Sequence, residues 1–305
     1  MTDYARSIAV IRRVQQRFST RACQWRICVT AAAFSTLCAF FPALLVTAGD
    51  PFRYSSGLRN SPGERRLNTK QLDAVLASLR DKAGFLEMCF DEDGFLTLGD
   101  QAKFSGGSAT ARALLDAALK MPHAVDLESH AYSSLVAFAR LATPVAYQQF
   151  SSGKKIDVFP LEIDFSDMSK LRGDKQALMA FDIGFVILHE IGHAALGLRD
   201  TPGDLQGLGE CEELINRIRR ELNLPERQTY VARIYSAPAL TPAHGLTRLA
   251  ELVFARAVEK QGRMQIEKFN LRWEASKVGP IMNAPAQSII KARNTKPITA
   301  MATGQ

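Results

Sequence analysis

Two histidines and a glutamate lie close together in the segment His189-Glu190-Ile191-Gly192-His193, which has the pattern HExxH. On a helix, a spacing of four residues places both imidazoles on one face, close enough to bind one metal ion. Glu190 then lies about 100° around the helix from His189, beside the metal without being forced to bind it. We therefore predict a zinc ion (Zn2+) held by both histidines, with Glu190 as the general base that takes a proton from a water molecule on the metal.

A third protein ligand must come from another part of the chain, which leaves the fourth position for water. The leading candidate is Glu212, nineteen residues after His193 on the next predicted helix. Asn216 follows one turn later on the same face and is predicted to orient a ligand histidine through a hydrogen bond. This Glu-x-x-x-Asn arrangement resembles the Glu-x-x-x-Asp helix of the thermolysin-like gluzincin peptidases. Glu213 and Glu210 are the competing carboxylates on this helix.

Asp200 is a different alternative for the third ligand. The segment HEIGHAALGLRD approximates the metzincin signature HExxHxxGxxH/D. Gly197 and Asp200 each fall one residue later than that signature requires. This mismatch places the metzincin interpretation behind the one built on Glu212.

A longer stretch resembles a narrower family. HEIGHAALGL followed by EELINRIRRELNLPERQTY is similar to the zinc metallopeptidases of the bacterial type III effector class, which pair HExxHA with a downstream N-x-x-R-x-E-L-G-L-P-x-R-x-x-Y block. The resemblance covers about Ile163–Tyr230, less than a quarter of the chain, and Asn223 stands where the block has glycine. The matching positions are Asn216, Arg219, Glu221, Leu222, Leu224, Pro225, Arg227 and Tyr230.

The resemblance implies hydrolysis of peptide bonds in a protein or peptide substrate, a single zinc ion and an α+β zincin fold. It also makes Tyr230 and Arg227 candidates for stabilising the oxyanion of the tetrahedral intermediate, a task that suits preorganised donors. The alternatives are structural: Arg227 pairs with Glu221 or Glu226, and Tyr230 belongs to the core.

The N-terminal segment predicts export. Six arginines precede an uncharged run from Ile27 to Gly49 that is long enough to cross a bilayer. This order of charge is expected to keep the N-terminus in the cytoplasm and to deliver the rest of the chain to the other side. Small residues at 46–48 offer a cleavage site, so residues 1–49 are either a signal peptide or a retained membrane anchor, with a buried core helix as the remaining alternative. We therefore expect an extracytoplasmic protein, and since injected effectors normally lack such a leader, their substrates are not transferred to it.

The distribution of charge argues against a nucleic-acid partner. Of the formal charge of +7, the segment Met1–Ala48 carries +5, with six arginines and one aspartate, and only +2 remains for the rest. The body of the chain also has no stripe of basic and aromatic side chains on which bases could stack. We expect a protein or peptide substrate, and contact with a membrane only through an uncleaved leader.

After the leader, we predict a linker at 50–66, one zincin-like metallopeptidase domain at 67–275 and a loose tail at 276–305. Apolar periodicity and end signals predict helices over Ala109–Met121, Asp174–Leu196, Glu210–Leu222 and Leu246–Lys260. Ser108 or Thr110 is expected to cap the first of them. Asp91–Gly94 indicates a hairpin turn. The helix that carries HExxH is apolar on nearly every side, so we expect it to be central and buried, with Gly197 just past its end.

The segment Ile156–Phe165 alternates apolar and polar residues and contains Pro160, which favours an edge strand. An edge strand can accept an extended peptide. We therefore predict a small mixed sheet with this edge over the cleft, the HExxH helix beneath it and the Glu212 helix completing the metal site.

The alternative function is that of an exported or membrane-anchored zinc-binding protein without catalysis, with a structural or partner-binding role. A structural zinc site is closed by four protein ligands, and Cys211, beside Glu212, is the residue to examine as a fourth. Cys89 and Cys211 are also compatible with one disulfide or with two free thiols.

Overall fold

A computed structural model of the chain describes residues 56–148, 155–201, 207–240 and 245–279. The predicted leader at 1–49 and the predicted tail from 280 onward lie outside these residues. Within the described ranges, no helix combines the length and the apolar character that a membrane crossing requires.

Helices and strands are mixed along the chain. The helices are α1 (Thr69–Ala83), α2 (Ala109–Lys120), α3 (Phe165–Met168), α4 (Lys175–Met179), α5 (Ile183–Leu196) and α6 (Gly209–Glu221), with a 3-10 turn at Ala275–Lys277. The strands are β1 (Gly57–Asn60), β2 (Cys89–Phe90), β3 (Leu96–Thr97), β4 (Ala124–Ser129), β5 (Ala139–Leu141), β6 (Val145–Gln148), β7 (Lys155–Ile163), β8 (Arg172–Gly173), β9 (Glu226–Arg227), β10 (Arg233–Pro238), β11 (Leu246–Lys260) and β12 (Arg263–Glu274).

Several local signals in the sequence are confirmed. Ser108 caps α2 by accepting a hydrogen bond from the Ala111 N–H. Gly197 follows α5 in the left-handed region, at φ 64°, where a glycine meets no Cβ penalty. β2 and β3 pair as the antiparallel hairpin predicted around Asp91–Gly94. These signals depend on neighbouring residues alone, which explains why they could be read without the fold.

The first sheet is mixed and has five strands. β1, β4 and β7 are parallel neighbours, and β5 and β6 pair antiparallel with the other side of β7. Leu58, Leu127 and Leu161, one from each parallel strand, are fully buried in a core shared with α1, α2, α5 and α6. Burial of each such side chain contributes roughly 1.5–3 kcal/mol to the stability of this arrangement.

The prediction that Ile156–Phe165 forms an edge strand is wrong, because β7 has neighbours on both sides. β6 pairs with residues 155–158 and β5 with residues 161–163, so Pro160 lies opposite the interruption between them. The Pro160 carbonyl accepts a hydrogen bond from Ala142 N–H on that side, at 2.8 Å. The N–H and C=O of one strand residue point to the same side of the strand. The N–H that Pro160 lacks would therefore also point into this interruption, where no strand needs it as a donor. The edge strands of this sheet are therefore β1 on one side and β5 with β6 on the other.

The predicted linker at 50–66 contains a buried strand. β1 pairs in parallel with β4, and both Leu58 and Arg59 are buried. Arg59 is accommodated because its guanidinium forms an ion pair with Asp126, at 2.5 and 3.0 Å. A short strand of Gly, Leu, Arg and Asn has no apolar alternation, so its composition is like that of a loop. The other end of the domain also extends past the predicted boundary, since Val278 is buried.

The predicted helix at Leu246–Lys260 is a strand. β11 and β12 form a long antiparallel hairpin, which β8, β9 and β10 complete as a second five-stranded sheet. An apolar run of this kind fits either a helix or a strand that is buried on both faces. Pairing with residues 263–274 decides between them, and local propensity carries no information about that partner. Phe254 and Leu271 of this sheet pack with Phe181, just before α5, in a second core.

The predicted helix Asp174–Leu196 is interrupted between α4 and α5. Asp182 begins α5 by accepting hydrogen bonds from the N–H groups of Gly184 and Phe185. The Ala180 carbonyl beyond α4 accepts a hydrogen bond from Arg219 Nε at 2.8 Å. The nearly continuous apolar composition of this segment predicts one helix. The break follows from Asp182, whose role as an N-cap is not evident from that composition.

α5 lies between the two cores. Leu188 and Ile191 pack into the first core, whereas Val186 packs with the second sheet. Gly192 allows α6 to approach closely, because a Cβ there would lie 2.8 Å from the Cys211 Sγ. The helix that carries HExxH is therefore enclosed on several sides, in agreement with its apolar composition.

Asp182 also ties α5 to α1, because its second oxygen accepts a hydrogen bond from Ser78 Oγ at 3.0 Å and pairs with the buried Lys82. We expect Asp182→Ala to lower the free energy of unfolding by about 3 kcal/mol, since it removes the cap and this partner of Lys82. Asp81→Ala is the matched control: Asp81 pairs with the same lysine, but its side chain is 75% exposed, so the loss should stay below about 1 kcal/mol. Urea denaturation measures both, and equal losses would contradict this role.

Candidate metal centre

α5 brings the predicted histidines together near its C-terminal end. The rings of His189 and His193 meet edge to face, with centroids 5.0 Å apart. Their side chains are 12% and 21% exposed, so both remain in contact with solvent while standing on a buried helix. The four-residue spacing therefore presents two imidazoles on one face, as predicted.

The chain after α5 is tied to both flanking helices. The Leu198 carbonyl lies 2.7 Å from His193 Nδ1, and the Arg199 carbonyl accepts a hydrogen bond from the Glu210 N–H at 2.8 Å. The first contact favours a proton on Nδ1 and leaves the Nε2 lone pair available for a metal. The second holds the loop at the start of α6. Asp200 follows directly and is carried back over the two imidazoles.

Asp200 has the position expected of a third metal ligand. Its Oδ1 is 3.2 Å from His189 Nε2, and its Oδ2 is 3.2 Å from His193 Nε2. A tetrahedral ion with bonds of about 2.0–2.2 Å holds its ligand atoms about 3.3–3.6 Å apart, close to these distances. Asp200 Oδ1 is also buried without a hydrogen-bond partner among the described residues, which is unfavourable unless a cation satisfies it. Two imidazole nitrogens and a carboxylate are a donor set that fits zinc.

The charges around these residues also favour a cation. Burial opposes a positive charge on His189, but Asp200 and Glu212 raise its pKa to about 10. Asp200 and Cys211 together raise the pKa of His193 to about 11. Burial opposes a negative charge on Asp200, yet the two histidines and a tyrosine hydroxyl hold its pKa well below the usual range. Asp200 therefore stays ionised. A metal ion that binds here must first displace any proton carried by the imidazole nitrogens that bind it.

Glu212, the leading candidate for the third ligand, lies behind His189. Its Oε2 is 3.5 Å from His189 Nδ1, the nitrogen on the other side of the ring from the one that faces Asp200. Its two oxygens are paired, one with Arg219 and one with Arg227 at 2.9 Å. The helical spacing did bring this carboxylate to a histidine, but to the nitrogen that it can orient rather than to the metal side. Of the two carboxylates, Asp200 is the one that faces Nε2 of both histidines.

The other two carboxylates proposed from the sequence lie outside the group of potential metal ligands. Glu213 and Glu210 are exposed on α6. Glu210 accepts a hydrogen bond from the Arg199 N–H at 3.0 Å and so helps to hold the loop that carries Asp200. Neither residue belongs to the group of potential ligand atoms that lie close together in the described chain.

Arg227 has a structural set of contacts. Its three guanidinium nitrogens donate to Glu212 and to the carbonyls of Thr229 and Tyr230. Because each nitrogen already has an acceptor, these contacts do not support the predicted role in stabilising an oxyanion. The structural alternative named Glu221 or Glu226 as its partner, whereas the structure pairs it with Glu212.

Asn216 was predicted to orient a ligand histidine, but its hydrogen bonds go to other residues. Its side chain exchanges two hydrogen bonds of 2.8 Å with the backbone of Arg227 and accepts another of 2.8 Å from Arg219. Arg219 is almost fully buried, with phenylalanine rings on two sides. Asn216 thereby fixes the two arginines that hold Glu212, and its influence on His189 is indirect.

Tyr230 lies against the metal centre. Its ring stacks on that of His189, with centroids 6.0 Å apart and 21° between the planes, and its hydroxyl donates to Asp200 Oδ2 at 2.5 Å. Burial and the neighbouring Asp200 carboxylate raise the pKa of this hydroxyl, so it stays protonated at neutral pH. The geometry therefore keeps Tyr230 in the candidate site as a hydrogen-bond donor.

Glu190 is linked to the edge strand β5. Its Oε2 accepts a hydrogen bond from the Leu141 N–H at 3.0 Å. Burial raises the pKa of Glu190, while His189 and His193 oppose that change. An upward shift moves a carboxylate toward the range in which it can both accept and return a proton at neutral pH.

Cys211 lies beside the two histidines at the start of α6. Both Cys211 and Cys89 are free, so the structure contains no disulfide between them. The Cys211 thiol donates to the His189 carbonyl at 3.2 Å, and its Sγ lies 3.6 Å from His193 Nδ1. With His189, His193 and Asp200 it forms a group whose potential ligand atoms all lie within 4.8 Å of one another. Its position keeps the alternative of a four-ligand site open to test.

Comparison of the chain with protein-family models, with curated proteins and with solved structures found no match. The geometry and chemistry of the site itself therefore define the reactions it can support.

Proposed function

We propose that this chain is a zinc-dependent metallopeptidase with a zincin-like domain. The observation that carries the proposal is the position of Asp200, whose two oxygens face Nε2 of His189 and of His193 while Glu190 stands on the same helix. Three protein ligands leave one position of a tetrahedral ion for water, which is the arrangement of catalytic zinc sites. The substrate would be a protein or peptide outside the cytoplasm, in keeping with the leader expected from the sequence.

The residues of the site divide the work of peptide hydrolysis among them. A bound zinc ion would polarise the scissile carbonyl and acidify the attacking water. Glu190 takes the proton of that water and passes it to the leaving nitrogen, and the Leu141 N–H holds the carboxylate in place. Tyr230 turns its hydroxyl from Asp200 to the developing oxyanion. An extended peptide binds along β5, the edge strand nearest Glu190.

The direct test is incubation of the purified full-length chain with a mixed peptide library, with mass spectrometry of the products. We expect cleavage by the zinc-loaded protein, loss of cleavage on addition of a chelator, and recovery on addition of zinc. Cleavage that persists at full rate after complete metal removal would overturn the proposal, and so would a zinc-loaded protein that cuts no peptide.

Tyr230→Phe should lower kcat for a susceptible peptide by about 10²-fold, because it removes one donor to the oxyanion. It should also weaken zinc binding by roughly 10-fold, because the Tyr230 hydroxyl donates to Asp200. Tyr235→Phe is the matched control, since the Tyr235 hydroxyl donates to Glu251 at 3.1 Å, away from the metal centre. Steady-state kinetics and metal titration measure both variants. Equal activity in the two would exclude Tyr230 from the reaction.

The alternative, a closed zinc site without catalysis, is favoured by one observation: Cys211 lies close to the other three potential ligands. The two functions differ in what Cys211→Ser should do. For the peptidase, we expect zinc affinity to stay within about threefold of the parent protein, because the thiol faces His193 Nδ1. A closed site would lose at least about 100-fold in affinity, measured by competition with a chelator. Cys89→Ser supplies the control for loss of a thiol elsewhere.

A further inference from the structure

A cavity of about 290 Å³ adjoins the candidate metal centre. His189, Glu190 and Tyr230 form part of its wall, so whatever fills it lies directly beside the general base. Its volume is at the lower end of the range for small-molecule sites, roughly 300–1,000 Å³. The cavity therefore suits one large side chain better than a cofactor.

The rest of the wall is mostly apolar and comes from several parts of the fold. Phe138 contacts Phe181 and Trp273 edge to face, with ring centroids 5.1 and 5.4 Å apart. The principal apolar side chains of the wall are Phe138, Phe181, Val186, Ile215, Leu252 and Trp273. Phe138 also adopts φ 65°, an unfavourable conformation for a bulky residue and one that is concentrated at functional sites.

The charged groups in the wall already have partners. Glu212 is paired with both Arg219 and Arg227, and Glu190 accepts the Leu141 N–H. A charged occupant would lose its hydration without gaining a free counter-ion from the described lining residues, apart from the general base itself. An uncharged occupant avoids that loss.

The indole of Trp273 is also part of the wall. Its indole N–H is buried and has no acceptor within the described ranges. A buried donor without an acceptor is rare in native proteins. This donor is therefore an unusual feature of the part of the fold that encloses the cavity.

From these features we propose that the cavity is the specificity pocket of the enzyme and receives a large uncharged side chain, aromatic or long aliphatic, from a residue that flanks the scissile bond. This inference rests on the proposed peptidase function, because the cavity can select a substrate side chain only if Glu190 in its wall is the general base. The flanking position follows from the same contact: a side chain in this cavity belongs to a residue next to the bond that Glu190 acts on.

The first test uses the products of the peptide library. We expect peptides with Phe, Leu or Met at one flanking position to show kcat/KM values roughly 10- to 100-fold above those with Ala, Glu or Lys there. Ala232→Leu narrows the cavity and should remove most of this preference, since Ala232 lines it. Ala237→Leu makes the same chemical change in β10 outside the wall and should leave the preference intact. Cleavage without preference at either flanking position would overturn the inference and leave the peptidase proposal standing.

A second test does not need turnover. The chain has two tryptophans, Trp25 and Trp273, so full-length protein with Trp25→Phe and Glu190→Gln reports on the cavity through Trp273 fluorescence. We expect N-acetyl-phenylalaninamide and N-acetyl-leucinamide to change the emission and N-acetyl-glutamic acid amide to leave it unchanged. Adding Ala232→Leu should weaken the response by about 10-fold. No response to the two apolar amides overturns the pocket, whereas a response in a protein that cuts no peptide overturns the peptidase alone.

Discussion

Glu190→Gln should reduce turnover of a susceptible peptide by roughly 10²–10⁴-fold while one zinc ion stays bound. Glutamine has the shape of glutamate and can still occupy the position held by the Leu141 N–H, but it cannot take a proton from water. The metal should remain, because Glu190 is not among the residues whose potential ligand atoms converge. Steady-state kinetics and metal analysis of the same preparation measure both parts of this result.

Glu213→Gln is the matched control for that experiment. Glu213 is exposed on α6, so the same chemical change there should leave both kcat and metal content as they are. Full activity in the Glu190→Gln protein would remove the general base from the mechanism and with it the peptidase proposal. Loss of zinc together with activity would instead give Glu190 a place in metal binding.

Asp200→Ala should abolish stoichiometric zinc binding and all activity that depends on it. Two imidazoles alone form an incomplete site, since structural and catalytic zinc ions in proteins take at least three protein ligands. Glu212→Gln should have the smaller effect, about 10- to 100-fold in zinc affinity, because Glu212 orients His189 from the Nδ1 side. Isothermal titration with zinc, on proteins whose folding has been checked by circular dichroism, measures the two affinities.

The order of these two effects decides which carboxylate binds the metal. The expectation from the sequence alone made Glu212 the ligand, and it would be restored if Glu212→Gln lost zinc while Asp200→Ala kept it. Glu212→Gln also tests the buried network separately: removal of the charge between Arg219 and Arg227 should lower the free energy of unfolding by about 3 kcal/mol. A loss of stability with zinc retained is therefore the expected pattern for this variant.

The third position shows why the sequence and the fold favour different carboxylates. Asp200 falls one residue too late for the metzincin signature, so a comparison with fixed spacing ranks it below Glu212 as the third ligand. In the fold, the left-handed turn at Gly197 and the contact between the Leu198 carbonyl and His193 take up the extra residue. Such a compensation is not visible in a spacing, because it depends on where the loop is tied to α6.

Glu212 illustrates the opposite case. Its distance from His193 along the chain and its place on a helix correctly put it beside the site. Which nitrogen of His189 it meets depends on how α6 is rotated against α5, and that rotation is set by packing at Gly192 and Cys211. Arg219 and Arg227 then complete its surroundings from α6 and β9.

The sequence by itself determined the local part of this protein: the helix that carries HExxH, the two imidazoles on one face, Glu190 beside them and Gly197 at the end of that helix. These follow from helical geometry and from neighbours within a few residues. Tertiary structure alone decided which carboxylate faces both imidazoles, which strands lie at the edges of the first sheet, and that Leu246–Lys260 is a strand that helps to wall the cavity. Each of these depends on pairing between distant segments, and the free energy of such pairing is not encoded in local pattern.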